Sequence, residues 1–135
     1  MEKITLALVI TKPGHLRNGL QSLLRTVPQI EIIAESQNPS VLLRMIDEIH
    51  PDLILLDADL VEESDWMAIS MMKGEWPQTT ILVFTENDKQ GQQAKEAGAD
   101  HFLPKGFPAS ELVDLIENSL IQILRDETNQ AKSNY

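Results

Sequence analysis

The groups able to do chemistry in this chain are carboxylates, hydroxyls and ammonium groups. It has no cysteine, and its three histidines, His15, His50 and His101, stand too far apart for a paired metal-ligand motif. Each histidine reads as an ordinary surface or packing residue. Asp57, Asp59, Glu62, Glu63 and Asp65 crowd five acids into nine residues, which invites a calcium loop. Such a loop needs an oxygen ligand at its fifth position and glycine at its sixth, where this run has Val61 and Glu62. A solvated acidic segment is the expectation. The six glycines never assemble a phosphate-cradling pattern, and no serine sits in a nucleophile-elbow sequence, so neither nucleotide binding nor serine hydrolysis is indicated. What remains is a set of polar residues, each at or just beyond the end of a short apolar run: Thr11, Lys12, Asp57, Asp59, Thr85, Glu86 and Lys105. An acid in such company is either a reactive group or a carboxylate satisfied by lysine and backbone donors, and the residues alone leave both open.

The elements that must position these residues follow from hydrophobic pattern. Leu6 to Ile10, Leu53 to Leu56 and Ile81 to Phe84 are continuous apolar runs, the pattern of strands buried on both faces of a parallel sheet. Ile30, Ile32 and Ile33 after Pro28, and His101 to Leu103, predict two further strands. Helical spacing appears in Leu16, Leu20, Leu23 and Leu24, and again in Leu42, Leu43, Ile46 and Ile49 behind an Asn38-Pro39 start. A third helix is expected from about Trp66 to Lys73, ended by Gly74 and Pro77, with Met67, Met71 and Met72 as adaptable core. Asp88 to Ala97 has only Ala94 and Ala97 as apolar anchors and predicts a weakly held, mobile helix. A strongly amphipathic helix through Leu112, Val113, Leu115, Ile116, Leu120 and Leu124 closes the series. Five alternating strands and helices require right-handed crossovers and a doubly wound α/β sheet, in which ligand chemistry lies at the carboxyl ends of the strands.

These residues carry a family resemblance over roughly residues 3 to 124. Pro51-Asp52-Leu53-Ile54-Leu55-Leu56-Asp57, Ile81-Leu82-Val83-Phe84-Thr85 and Gly98-Ala99-Asp100-His101-Phe102-Leu103-Pro104-Lys105 resemble the third, fourth and fifth strands of a bacterial response-regulator receiver domain. Leu16-Arg17-Asn18-Gly19-Leu20 with Leu23-Leu24 is similar to the first helix of receivers in LuxR-type transcription regulators. The resemblance implies a CheY-like, flavodoxin-like (βα)5 fold with strand order 2-1-3-4-5. It also implies a phosphoacceptor position at Asp57, switch positions at Thr85 and Phe102, and a phosphate-binding lysine position at Lys105. In that chemistry a carboxylate attacks phosphorus while a divalent metal and the lysine neutralise the phosphoryl oxygens. The family holds the metal with two adjacent acids ending the first strand, and here those positions are Thr11 and Lys12. A neutral hydroxyl and an ammonium in place of two carboxylates predict weak or absent magnesium binding, with Lys12 pairing to Asp57 instead. Glu86 replaces a usually small residue, and Asp59 lies in a loop that departs from the family's Met-Pro pattern. Both are expected to modify the site, Glu86 by repelling phosphate.

The 135 residues, 42% of them hydrophobic, suit one domain, with a polar, aperiodic tail or linker at 125–135 after a receiver-like domain over 1–124. Twenty-one acids against 11 lysines and arginines give a net charge of −10, which argues against direct contact with nucleic acid or an anionic membrane. No leader or membrane span is readable, and a cytoplasmic setting is expected. The reading is a signalling module rather than an enzyme, without a cofactor or metal. Its expected partners are a histidine kinase, a C-terminal DNA-binding effector domain outside this chain, or a second copy docked through the fourth helix, fifth strand and fifth helix. A receiver phosphorylated on Asp57 is the first alternative, and a small flavodoxin-like enzyme the second.

Overall fold

Apolar runs without alternation have no face to give to water, and the chain satisfies them by stacking them inside a sheet covered on both sides. In the computed structural model β1 (Thr5–Ile10), β2 (Ile30–Ser36), β3 (Leu53–Asp57), β4 (Thr80–Thr85) and β5 (His101–Pro104) form one parallel sheet in the order β2-β1-β3-β4-β5. Between the strands run α1 (His15–Leu24), α2 (Ser40–Ile49), α3 (Glu63–Glu75) and α4 (Asp88–Glu96), and the helical residues 109–118 form α5. The structure describes residues 4–118, without the side chains of residues 42 and 43. The expected tail at 125–135, the helical positions Leu120 and Leu124, and the side chains of Leu42 and Leu43 lie outside the described residues.

Each strand feeds both layers. Leu8, Ile10, Ile54, Leu56, Ile81 and Val83 pack against Ile46 of α2, Trp66, Ile69 and Met72 of α3, and Ala94 of α4. Ala7, Val9, Leu53, Leu55, Leu82 and Phe84 point the other way, onto Leu20 and Leu24 of α1 and Leu112 and Ile116 of α5. Alternate residues of one run thus serve opposite layers, which is why the runs show no polar face. No helix among the described residues is long and apolar enough to cross a membrane.

Local chemistry sets the helix starts. Asn38 Oδ1 accepts from Ser40 N–H at 3.0 Å and opens α2. Helix α3 begins earlier than the apolar pattern predicts, at Glu63, because the Glu62 N–H donates to the Asp65 carboxylate at 3.0 Å. It also runs through Gly74. The phase of this longer helix puts Trp66, Ile69 and Met72 inside, and turns Met67 and Met71 outward at 67% and 75% exposure. The expectation that Met67 and Met71 lie in the core is therefore corrected; of the three methionines only Met72 is buried.

Candidate functional site

Sheet register assembles the polar strand ends. Asp57 stands opposite Phe84, Thr85 opposite Pro104, and Ile10, just before Thr11, opposite Leu56. The Lys105 N–H donates to the Thr85 carbonyl at 2.8 Å, extending the β4–β5 ladder by one step and fixing where the lysine side chain starts.

Asp57 is 5% exposed and ends β3. Its Oδ1 accepts from the Asp59 N–H at 2.9 Å, the bond that turns the chain into a short 3-10 segment at Ala58–Leu60, and lies 2.9 Å from Lys105 Nζ. The same ammonium reaches Asp59 Oδ2 at 2.6 Å and Glu86 Oε1 at 3.1 Å. Burial pulls the Lys105 ammonium toward neutrality, but hydrogen bonds to Asp59, Asp57 and Glu86 outweigh it and hold the lysine well above its ordinary value. The Asp59 carboxyl is held below the usual aspartate value, first by the Lys105 hydrogen bond and then by one from Gln90, with a smaller contribution from the charge of Lys12.

Lys12 itself is exposed and makes no ion pair among the described residues. The pairing to Asp57 expected of Lys12 is made by Lys105 instead: the Lys105 bond to the Thr85 carbonyl starts its stem at the end of β4, which neighbours β3, while Lys12, although β1 also borders β3, turns to solvent. Thr11 is fully buried and faces Arg17 of α1, whose Nε donates to Thr11 Oγ1 at 3.2 Å and whose Nη2 donates to the Thr11 carbonyl. Thr85 is buried, its hydroxyl donating to the Leu103 carbonyl over a long 3.4 Å. Phe102 is 47% exposed and lies over Gly91 of α4, so close that a Cβ at Gly91 would come within 3.1 Å of its ring. The structure thus joins Asp57, Asp59, Glu86 and Lys105 in one cluster, with Lys12 near enough for its charge to act on Asp59 but in no ion pair with it, while the side-chain contacts of Thr11 and Phe102 go to Arg17 and Gly91 instead.

Two contributors, Gln90 and Arg17, escape a reading of strand ends alone. Gln90 Oε1 accepts from the Glu86 N–H at 2.7 Å and its Nε2 donates to Asp59 Oδ1 at 2.8 Å, so the first turn of α4 is tied to the acidic loop. The spacing Asn87-x-x-Gln90 is a helix-start pattern, and Asn87 Oδ1 does accept from the Gln90 N–H at 2.9 Å. That signal was available in the sequence. Arg17 has no comparable signal, since an arginine in a first helix turn is usually solvated. One oxygen each of Asp57, Asp59 and Glu86 lies within 3.1 Å of Lys105 Nζ, and among the described residues no group of three acidic or histidine side chains is placed to hold a metal ion.

A model of the response regulator receiver domain matches residues 8–117. The chain belongs to the response-regulator receiver family. The response regulator protein VraR of Staphylococcus aureus (strain Mu3) is 31% identical over 106 residues, 76% of this chain and 50% of VraR. This receiver therefore spans about half the length of such curated relatives. A LuxR-family two-component response regulator from Aurantimonas is similar in structure, with TM-score 0.73 and 26% identity over 89% of this chain and 86% of that one. The receiver domain of AraT from Geobacillus stearothermophilus shares the fold at TM-score 0.77 and 15% identity, over 92% of this receiver and 98% of that chain. The family places the chain in two-component signalling, as a signalling domain rather than a conventional enzyme.

Proposed function

We propose that this receiver signals through protein contacts and is not switched by magnesium-dependent phosphorylation of Asp57. The observation carrying this reading is one ammonium, Lys105 Nζ, held between the carboxylates of Asp57, Asp59 and Glu86. Magnesium selects carboxylate and water oxygens in near-octahedral array. The end of β1 offers instead a hydroxyl already engaged by Arg17 and the exposed ammonium of Lys12, and this donor set does not fit the ion. Glu86, half-exposed at the mouth, adds negative charge where a phosphoryl dianion would enter. In this reading the domain works in the cytoplasm with a histidine kinase, or regulates a C-terminal DNA-binding effector domain, or pairs with a second copy through α4, β5 and α5.

A second reading, a working phosphoacceptor, is favoured by one observation. Both contacts of the Asp57 carboxylate fall on Oδ1, so Oδ2 has no partner among the described residues. Intact mass after incubation with a small phosphodonor and magnesium separates the two, with Asp57→Asn as control. No adduct is expected on the parent; a single phosphoryl gain absent from Asp57→Asn would overturn the proposal. Magnesium-dependent phosphorylation gained by Thr11→Asp combined with Lys12→Asp would place the loss at these two positions. Light scattering that shows only monomer, with no partner recovered by the domain, would remove the protein-contact reading.

A further inference from the structure

On the face of the sheet that carries α2 and α3, away from the strand ends, lies a groove of about 310 Å3. Its floor is apolar, made by Ile46, Ala68, Met72 and Trp76, and Met71 lines it at 75% exposure. The only charges among its lining residues are carboxylates, Asp47 on α2 and Glu75 on α3, both exposed and neither in an ion pair among the described residues. Met67, one turn before Met71, is also exposed at 67%. Two large unbranched side chains on one outer helix face are costly to leave in water, and methionine adapts its shape to whatever covers it.

We propose that this groove docks an amphipathic helix of a partner protein whose apolar stripe is flanked by lysine or arginine. The apolar floor and the mobile thioether of Met71 suit anchors at helical spacing, as in other helix-in-groove recognition. A cationic flank follows from charge complementarity: two carboxylates without an ion pair among the described residues line the groove, one from α2 and one from α3, no lysine or arginine lines it, and the whole chain carries −10. The same charges disfavour an anionic membrane or a nucleic acid as occupant.

The test is selection of helical peptides, displayed as a library of varied net charge, against the whole chain. A counter-target carries Met71→Gln with Asp47→Lys and Glu75→Lys, all at exposed positions. Enriched peptides should be cationic and amphipathic, and should bind the counter-target at least tenfold more weakly. They should also shift the indole N–H resonance of Trp76, whose Nε1 is buried without a hydrogen-bond partner among the described residues. Circular dichroism of the counter-target, unchanged from the parent, shows that lost binding is not unfolding. If that substitution set unfolds, Met71→Gln alone replaces it, and an enriched cationic peptide is compared with a version whose lysines and arginines are changed to glutamate, which should not bind the parent. The proposal is overturned if no peptide enriches, if enriched peptides lack positive charge, if they bind the counter-target equally, or if Met71→Gln abolishes a concentration-dependent self-association, which would make a second copy the occupant.

Discussion

Replacing Lys105 by methionine keeps most of the stem's packing and deletes only the ammonium. The magnitude follows from the exposure of its three partners. Asp57, with its side chain 7% exposed, keeps the Asp59 N–H but loses its counter-charge, a loss in the range of about 2–3 kcal/mol for a nearly buried ion pair. Asp59 and Glu86 have side chains 33% and 50% exposed, so solvent screens them and each pair contributes about 0.5 kcal/mol or less. The expected total is about 3 kcal/mol, a large share of the roughly 5–15 kcal/mol that holds a domain together. Urea denaturation at neutral pH measures it, and a lowered thermal midpoint of about 10 °C or more should accompany it. In the Lys105→Met background the carboxylates repel one another, so adding Glu86→Gln should recover stability, whereas in the parent it should cost a little. Added magnesium should stabilise Lys105→Met more than the parent, since the freed oxygens of Asp57, Asp59 and Glu86 can then face a cation. A loss under about 1 kcal/mol, or Glu86→Gln destabilising both backgrounds alike, would refute the idea that this ammonium balances the cluster.

Three further outcomes are expected. The Lys105 contribution should be complete below the ordinary lysine value and fade as pH rises through the raised folded value, while that of Asp59 should persist above the ordinary aspartate value and fade as pH falls through its lowered one. The stability gap between the parent and Lys105→Met should accordingly be flat from about pH 6 to 9 and narrow only in strong alkali or acid, as pH-resolved denaturation will check. Arg17→Gln should cost about 1–2 kcal/mol and speed amide exchange in the loop after β1, because Thr11 loses two guanidinium donors; Arg17→Lys should not restore the forked contact. Gly91→Ala should raise stability by less than about 1 kcal/mol, the helix gain outweighing the small movement asked of the half-exposed Phe102 ring, and a fall in the denaturation midpoint would contradict this.

The order of strands and helices was legible because burial on both faces of a sheet leaves a pattern in each segment separately. Runs such as Leu53 to Leu56 have only one economical place, and the residues that end them must gather at one edge of the sheet. Asp57, Thr85 and Lys105 could therefore be singled out before any coordinates, as could Asn87-x-x-Gln90 as a helix start. The partners could not. Whether Lys12 or Lys105 neutralises Asp57 depends on where two long, flexible stems leave the backbone, and that is set by β3 lying between β1 and β4, with β5 beyond β4, and by the Lys105 bond to Thr85. The grip of Arg17 on Thr11 and the turning out of Met67 and Met71 are decided in the same way, by helix phase and loop path rather than by residue type. Hydrophobic periodicity is local and survives in one dimension. An ion pair forms over about 3 Å between residues far apart in the chain, and only the packed sheet fixes distances that short.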